Sequence, residues 1–442
     1  MRVLHTDKNA YYGGAETALS LQDARAWSEN ISMNEPSRST FSGVSITIAD
    51  DKEDEQKLGL SRAYSLALAP QVLYSRSALL PLLVSSGVHQ QLEFLAVGSW
   101  WIYEATFSSE ESQETARLVK VPSSREDIFS DVRMNVRTKR ALVKFLRFVV
   151  EYNSEENLPI WQPHASAPFP EFLRTQFNVP ESLQPALLSL TLSRKPADGI
   201  TTEEALQAIS RHVTSMNVFG SGFAAVLPKW GGLGEVGQVG CRAMAVGGGV
   251  YVLNKGVKTI HKDKGLEMVT KVQPGGDIPD EKWNIELGDG ERLTARWVIG
   301  DDEEIPSSAA QTLHTNAEVF DTIETTARSI SVISSSLASL FPPAGEGAPN
   351  PAGAVTLFPS GTLEVQGSGS TSSQAPVYLS IHSSDTGECP TGQCESSPRS
   401  LYSLRHQFLT RIGHIAHMMI NLMNTYLHCL NYIDDIISDK LI

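Results

Sequence analysis

Glu235 and Arg242 stand seven residues apart inside Lys229–Val257, a stretch that holds nine of the chain's 33 glycines. A carboxylate and a guanidinium so placed can accept and donate charge-assisted hydrogen bonds to a polar partner. The same two groups could instead pair with each other and hold only their own segment. Gly232, Gly234 and Gly237 spell G-x-G-x-x-G. That pattern cradles a dinucleotide phosphate when a strand precedes it and a helix follows within a βαβ unit. Here Val226-Leu-Pro-Lys-Trp230 comes first, and Pro228 argues against an uninterrupted central strand. The stretch therefore reads as a loop whose glycines let the backbone pass close to another surface.

Other groups capable of chemistry are more scattered. Asp7 follows a short strand, the position at which a dinucleotide-binding domain holds a ribose hydroxyl; it reads equally well as a turn residue. The fingerprint that should precede such an acid by about 20 residues has no chain to carry it. Cys389 and Cys394 form a C-x4-C with no second Cys or His pair nearby, which is not a specific zinc pattern. His406, His414, His417 and His428 lie on a helix-like segment without a carboxylate to complete a ligand set, so a partly buried helix face is expected there.

The bulk of the chain limits what these residues can serve. With 442 residues, 41% of them hydrophobic, it has material for two or three domains with sizeable cores. A net charge of -14 argues against general nucleic-acid binding, which needs clustered Lys and Arg. Four cysteines do not make a disulfide framework, and a reducing compartment is the natural setting. The N-terminus has no signal-peptide core, and no stretch has the apolar length of a membrane span.

The elements that must position the candidates follow from periodicity. Arg2–His5 reads as a short strand. Asp23–Glu55 reads as polar loop with a possible edge strand at Val44–Ile48. Leu66–Leu83 reads as an extended entry followed by a buried helix, and Leu92–Tyr103 as a strand whose Trp100-Trp101 pair belongs to a core. Arg125–Tyr152 is helical: Leu142, Phe145, Leu146 and Val149 fall at helix spacing. Arg137, Lys139, Arg140, Lys144 and Arg147 cover the rest of it, as a solvated or protein-docking face. Helices follow near Pro170–Gln176, at Ser182–Leu192, and from a capping-box pattern at Thr201–Glu204. Strands return at Tyr251–Asn254, Val257–His261, Met268–Val272, Trp283–Leu287, Arg296–Ile299, Ser329–Ser335, Ala354–Phe358 and Val377–His382, separated by turn signals. Leu401–Ile442 reads as a helix.

With these residues in hand, the chain resembles the Rab GDP-dissociation inhibitor and Rab escort protein superfamily. Val3–Gly14 (VLHTDKNAYYGG) resembles that family's signature after its first βα unit, and Gly232–Val257 resembles its second signature, with Val252 at a Met-type position. Arg62-x7-Pro70 resembles a third short element. The resemblance implies an α/β fold of FAD/NAD(P)-binding-like, GDI type. Its larger domain has mixed sheets (1–122 and 221–385), an all-helical domain is inserted at 123–220, and a tail with a helix covers 386–442; the first βα unit is expected to be missing. It implies no catalytic flavin, no metal and no catalytic residues.

The resemblance also implies a platform for the switch regions of a GDP-bound Rab GTPase at Tyr12, Arg62, Glu235, Gln238 and Arg242. The segment Pro376–Cys394 looks like the escort branch. The implied function is a non-catalytic chaperone in the cytoplasm. It would bind new GDP-bound Rab, present it to geranylgeranyl transferase, shield the geranylgeranyl lipid and cycle transiently to membranes. A recycling inhibitor of prenylated Rab is the near alternative, and a flavin-dependent oxidoreductase on the same fold the distant one.

Overall fold

The computed structural model describes residues 2–33, 40–47, 58–107, 114–123, 125–262, 282–300, 305, 326–343, 350–360, 362 and 375–401. The chain begins with a short strand, Leu4–Thr6 (β1), then Ala18–Leu19 (β2) and the helix Leu21–Met33 (α1). The polar reading of Asp23–Glu55 as loop is corrected in its first part: α1 is a helix that buries Ala24 and Ser28 and packs Trp27, half-buried, beside them. The possible edge strand at Val44–Ile48 forms no strand over its described residues. Next come Leu66–Ala67 (β3), Leu73–Tyr74 (β4), the helix Leu79–Ser85 (α2), and the long strands Phe94–Phe107 (β5) and Glu114–Lys120 (β6).

A run of helices follows: Arg125–Ser130 (α3), Val136–Val150 (α4), Leu158–Trp161 (α5), Phe169–Phe177 (α6), Gln184–Ser189 (α7) and Thr202–Ser215 (α8). Helix α4 starts where the Asn135 side chain accepts the Thr138 N–H at 2.9 Å, and it buries Leu142, Phe145, Phe148 and Val149. Its outward row is Arg137, Arg140, Lys144 and Arg147. Helix α8 has the expected capping box, with Thr201 and Glu204 each satisfying the other's backbone N–H. Phe169, Phe172, Leu173, Leu206 and Ile209 fill the space between these helices. The same apolar cluster runs on into Trp100, Ile102, Val355 and Tyr378 of the sheet below, so the helices sit directly on it.

The chain then makes Ala225–Pro228 (β7), the helix Leu233–Val246 (α9), Val250–Val252 (β8), Val257–Lys262 (β9), Trp283–Leu287 (β10) and Arg292–Ala295 (β11). The strand expected at Arg296–Ile299 lies one turn earlier, as β11, because Gly288-Asp289-Gly290 closes a tight hairpin with β10. Thr326–Arg328 (β12), Ser331–Ile333 (β13), Gly353–Phe358 (β14), Val377–Ser383 (β15) and Cys394–Leu401 (β16) complete the described strands. The expected strand at Met268–Val272 and helix at Leu401–Ile442, with its histidines, lie outside the described residues apart from Leu401 itself, which ends β16.

The large mixed sheet runs β12-β16-β15-β14-β5-β7-β4, with β6 on β5 and β13 on β16. Strand β14 is parallel to β5, whereas β15 and β16 are antiparallel to their neighbours. Strand β16 carries this sheet beyond residue 385. A separate sheet joins β11-β10-β9, and a short pair joins β2 and β3. Strands β1 and β8 form a parallel pair in which Leu4 lies beside Val250. Trp100 is buried and the Trp101 Nε1–H donates to the Leu340 carbonyl at 3.1 Å, in keeping with a core role.

Candidate functional site

Helix α9 carries three of the five candidate residues. Its sequence is a poor helix former, since Gly234, Gly237 and Gly240 each cost about 1 kcal/mol relative to Ala. The glycine-rich reading of this stretch as loop is therefore corrected: tertiary packing outweighs propensity. A Cβ on Gly234 would lie 3.0 Å from both the Ala18 nitrogen and the Glu16 oxygen, and one on Gly237 would lie 3.6 Å from the Gly13 Cα. At Gly234 the close neighbours are backbone atoms, so a side chain would force them apart, whereas at Gly237 the distance is an ordinary van der Waals contact. Leu233 and Val236 pack against the cluster of Leu73, Leu80, Leu83 and Val226, while Val239 is fully buried.

Those contacts use up the helix's inner faces. Glu235, Gln238 and Arg242 follow at i, i+3 and i+7, which places them on one remaining face. Glu235 and Gln238 are half-buried and Arg242 is exposed. Among the described residues no ion pair joins Glu235 to Arg242; the Arg242 Nη1 instead donates to Gln91 Oε1 at 3.4 Å, the long end of hydrogen-bond range. Partial burial raises the Glu235 carboxyl above its ordinary value, opposed by the Arg242 charge. The internal-pair reading of these two residues therefore has no direct contact behind it.

Tyr12 lies in the loop against α9. Its ring meets Tyr251 edge-on at 4.8 Å, and its phenol is held above its usual range by a side-chain hydrogen bond with Cys241. Arg62 is exposed on the turn Ser61–Ala63. That turn is anchored on both sides. Ser61 Oγ accepts the Gln22 N–H at 2.8 Å, and the buried Tyr64 donates through its hydroxyl to Gln393 Oε1 at 3.0 Å. Ser65 Oγ donates to the Trp230 carbonyl at 2.9 Å, which ties the turn to the residues leading into α9. Thus α9 carries Glu235, Gln238 and Arg242 on one face, and Tyr12 sits against the same helix at Cys241. Arg62 stands on a neighbouring turn and, among the described residues, makes no hydrogen bond or ion pair with those four.

The glycine pattern does follow a strand and open a helix, contrary to the expectation from Pro228, which is the last residue of β7. Yet β7 is antiparallel to β4 and β5, and the strand after α9 belongs to another sheet. No βαβ unit results. Glu235 occupies the first turn of α9, where a bound phosphate would meet its carboxylate. Asp7 is buried and turned back on its own chain, with its Oδ1 accepting the Asn9 N–H at 2.8 Å and the Asn9 Nδ2 at 3.0 Å. It is a turn residue that fastens β1 to β8, its N–H donating to the Val252 carbonyl at 3.0 Å.

Sequence reasoning missed the segment that braces Trp230. Trp230 has a left-handed φ of 66°, its N–H donates to the Thr386 carbonyl at 2.8 Å, and Gly387 lies flat against its ring. The available signal was Thr386-Gly387, a turn pair directly after a strand.

A mixed sheet, an α-helical layer seated on it and a glycine-faced helix packed on the N-terminal loop define a GDP-dissociation-inhibitor type of molecule. The profile described as "GDP dissociation inhibitor" matches residues 1–285, and the chain belongs to that family. The chain is 35% identical over 257 residues to the "Rab proteins geranylgeranyltransferase component A" of Saccharomyces cerevisiae, covering 57% of this chain and 39% of that protein. It is 26% identical over 299 residues to "Rab escort protein 1" of Arabidopsis thaliana, covering 59% of this chain and 51% of that one. Among solved structures, the Rab GDI of Plasmodium falciparum superposes with a TM-score of 0.60 at 18% identity, over 91% of this chain and 77% of that one. That likeness concerns the fold. The match spans well under half the length of the S. cerevisiae relative and of its Candida albicans counterpart, 39% and 37% respectively.

Proposed function

We propose that the chain is a Rab escort protein. The face formed by Tyr12, Glu235, Gln238 and Arg242, with Arg62 beside it, binds a Rab GTPase in its GDP form. The observation that carries this reading is the division of α9. One row of residues is consumed by close packing on the Gly13–Ala18 backbone, and the adjacent row of an acid, an amide and a base is left without an ion pair between its ends. A row of this kind offers both acceptors and donors to a polar partner. Support also comes from the relatives whose names refer to Rab geranylgeranylation and escort.

In this reading the chain does no chemistry itself. It presents Rab to geranylgeranyl transferase as an accessory subunit, shields the attached lipid and releases prenylated Rab at membranes, working from the cytoplasm. Among the described residues no helix is long and apolar enough to cross a membrane. Shielding a lipid requires apolar helix faces. Those of α4, α6 and α8 are engaged with one another, so the chain would enter by parting them.

The test is a pull-down of unprenylated, GDP-loaded Rab by the purified chain, with transferase added, beside an Arg242→Ala version. The expected result is binding that recruits transferase and that weakens about 10- to 100-fold on substitution, the range for a lost charge-assisted hydrogen bond. Binding of prenylated Rab alone would make the chain a recycling inhibitor. A folded chain that binds neither form would reject the platform.

A further inference from the structure

Away from the α9 face, three ionisable side chains converge inside the protein. His382 on β15 and Glu395 on β16 are direct partners across the antiparallel ladder, and Glu388 comes from the segment that connects the strands. They are 4%, 1% and 0% exposed, respectively. One potential ligand atom from each lies within 4.8 Å of the other two. His382 Nδ1 meets Glu388 Oε2 at 2.5 Å, while Glu395 Oε1 accepts a long hydrogen bond of 3.4 Å from Ser397 Oγ. The second oxygens, Glu388 Oε1 and Glu395 Oε2, are buried without a hydrogen-bond partner.

Two buried carboxyl groups and one imidazole do not balance. With both carboxylates ionised, even a protonated His382 leaves a net negative charge out of reach of water. An uncompensated buried charge costs several kcal/mol. Among the described residues no Lys or Arg makes an ion pair with either glutamate; the one ion-pair contact of Glu388 is with His382.

The geometry points to a binding site for one divalent transition-metal ion, held by His382, Glu388 and Glu395. An imidazole with two carboxylates is a nitrogen–oxygen donor set of the kind zinc takes. Ligands of one tetrahedral zinc stand roughly 3.3 Å apart, so the ion's entry opens the His382–Glu388 contact by a little under an ångström, which a small rotation of Glu388 supplies. On the far side, Ser380 Oγ sits 2.9 Å from His382 Nε2 and can accept its proton, fixing the tautomer that leaves Nδ1 free to ligate. The ion would lock β15, β16 and their connection together. Thr386 and Gly387 in that connection are the residues that hold Trp230 at the entrance to α9.

Cys389 is the competing ligand. It is buried and follows Glu388 directly in the chain, but its sulfur does not join the set of ligand atoms that lie within 4.8 Å of one another.

The test strips the full chain with a chelator and titrates it with Zn²⁺ against a chromophoric competitor, then repeats the loading with Co²⁺. The expected result is one ion per chain, a raised melting temperature on loading, and a Co²⁺ spectrum without a thiolate charge-transfer band. Glu395→Gln should weaken binding by at least about 100-fold, above the effect of losing a supporting partner, and Cys389→Ser should leave it unchanged. No stoichiometric binding by the wild-type chain overturns the site. So does a strong thiolate band, or loss of binding in Cys389→Ser. If Glu395→Gln fails to fold, the wild-type stoichiometry and Co²⁺ spectrum still decide. If Glu395→Gln raises the melting temperature of a chain that binds no metal, the carboxyl pair shares a proton instead.

Discussion

The backbone N–H of Trp230 donates to the Thr386 carbonyl across 2.8 Å, so the entrance to α9 is fastened to a segment more than 150 residues further along the chain. The next residue, Gly387, completes the joint. It has φ 76°, and a Cβ built there would lie 2.3 Å from Trp230 Cδ1.

Gly387→Ala is expected to destabilise the chain by more than Gly392→Ala does. Both positions have left-handed backbones, at 76° and 88°, which cost a non-glycine residue about 1–2 kcal/mol. Nothing lies within 4 Å of a Cβ at Gly392, so the excess measured at Gly387 reports the displaced indole. Urea unfolding midpoints of the two variants provide the comparison.

Two glycines of α9 should respond with opposite signs. Gly240 has open space around it and a helical backbone, so Gly240→Ala should stabilise by up to about 1 kcal/mol. Gly234→Ala should destabilise, because the atoms 3.0 Å from its Cβ belong to backbone and cannot swing aside. Thermal melts of the two variants settle the sign.

These glycines also explain what the sequence could and could not disclose. The capping box at Thr201 and Glu204 was legible because it is local, and so was the apolar repeat of α4. The strands Ala354–Phe358 and Val377–His382 were legible as apolar runs between turn signals. Helix α9 was not, because its glycines oppose a helix locally, and the close approach at Gly234 is to the Glu16–Ala18 backbone more than 200 residues earlier. Helix α1 was hidden because it buries Ala24 and Ser28 rather than a stripe of large residues. The row Glu235, Gln238 and Arg242 was assembled from resemblance; its helical spacing supplies the physical reason they face one way. The joining of His382, Glu388 and Glu395 had no sequence signal beyond polar residues near a strand end.

His212 should make stability depend on pH. It is 6% exposed, ringed by Trp100 at 5.0 Å and Tyr74 at 5.8 Å, and its Nδ1 has no partner. Burial lowers its pKa from 6.5 to about 4. Between these values the unfolded chain takes up a proton that the folded chain refuses, so stability falls as pH drops below 6.5 and this loss is complete near 4. The whole window amounts to about 3 kcal/mol. His212→Leu should lose less stability than the wild type between pH 7 and pH 5, read from urea midpoints at each pH.

Thr201→Ala should cost about 1 kcal/mol, within the range for a lost N-cap. It releases the Glu204 N–H and breaks one half of the capping box on α8. Because α8 buries Leu206 and Ile209 in the helical layer, the loss should appear in the global unfolding transition rather than as local fraying.

The pairing of Leu4 with Val250 sets an order of events during synthesis. Strand β1 leaves the ribosome 246 residues before its partner β8, a delay of roughly 12 to 50 s at ordinary elongation rates. Throughout that interval β1 is without the β8 partner that it has in the folded chain. Helices α3 to α8 and strands β5 to β7 lie entirely between the two strands, and the core they share is completed by Val355 and Tyr378, which follow β8.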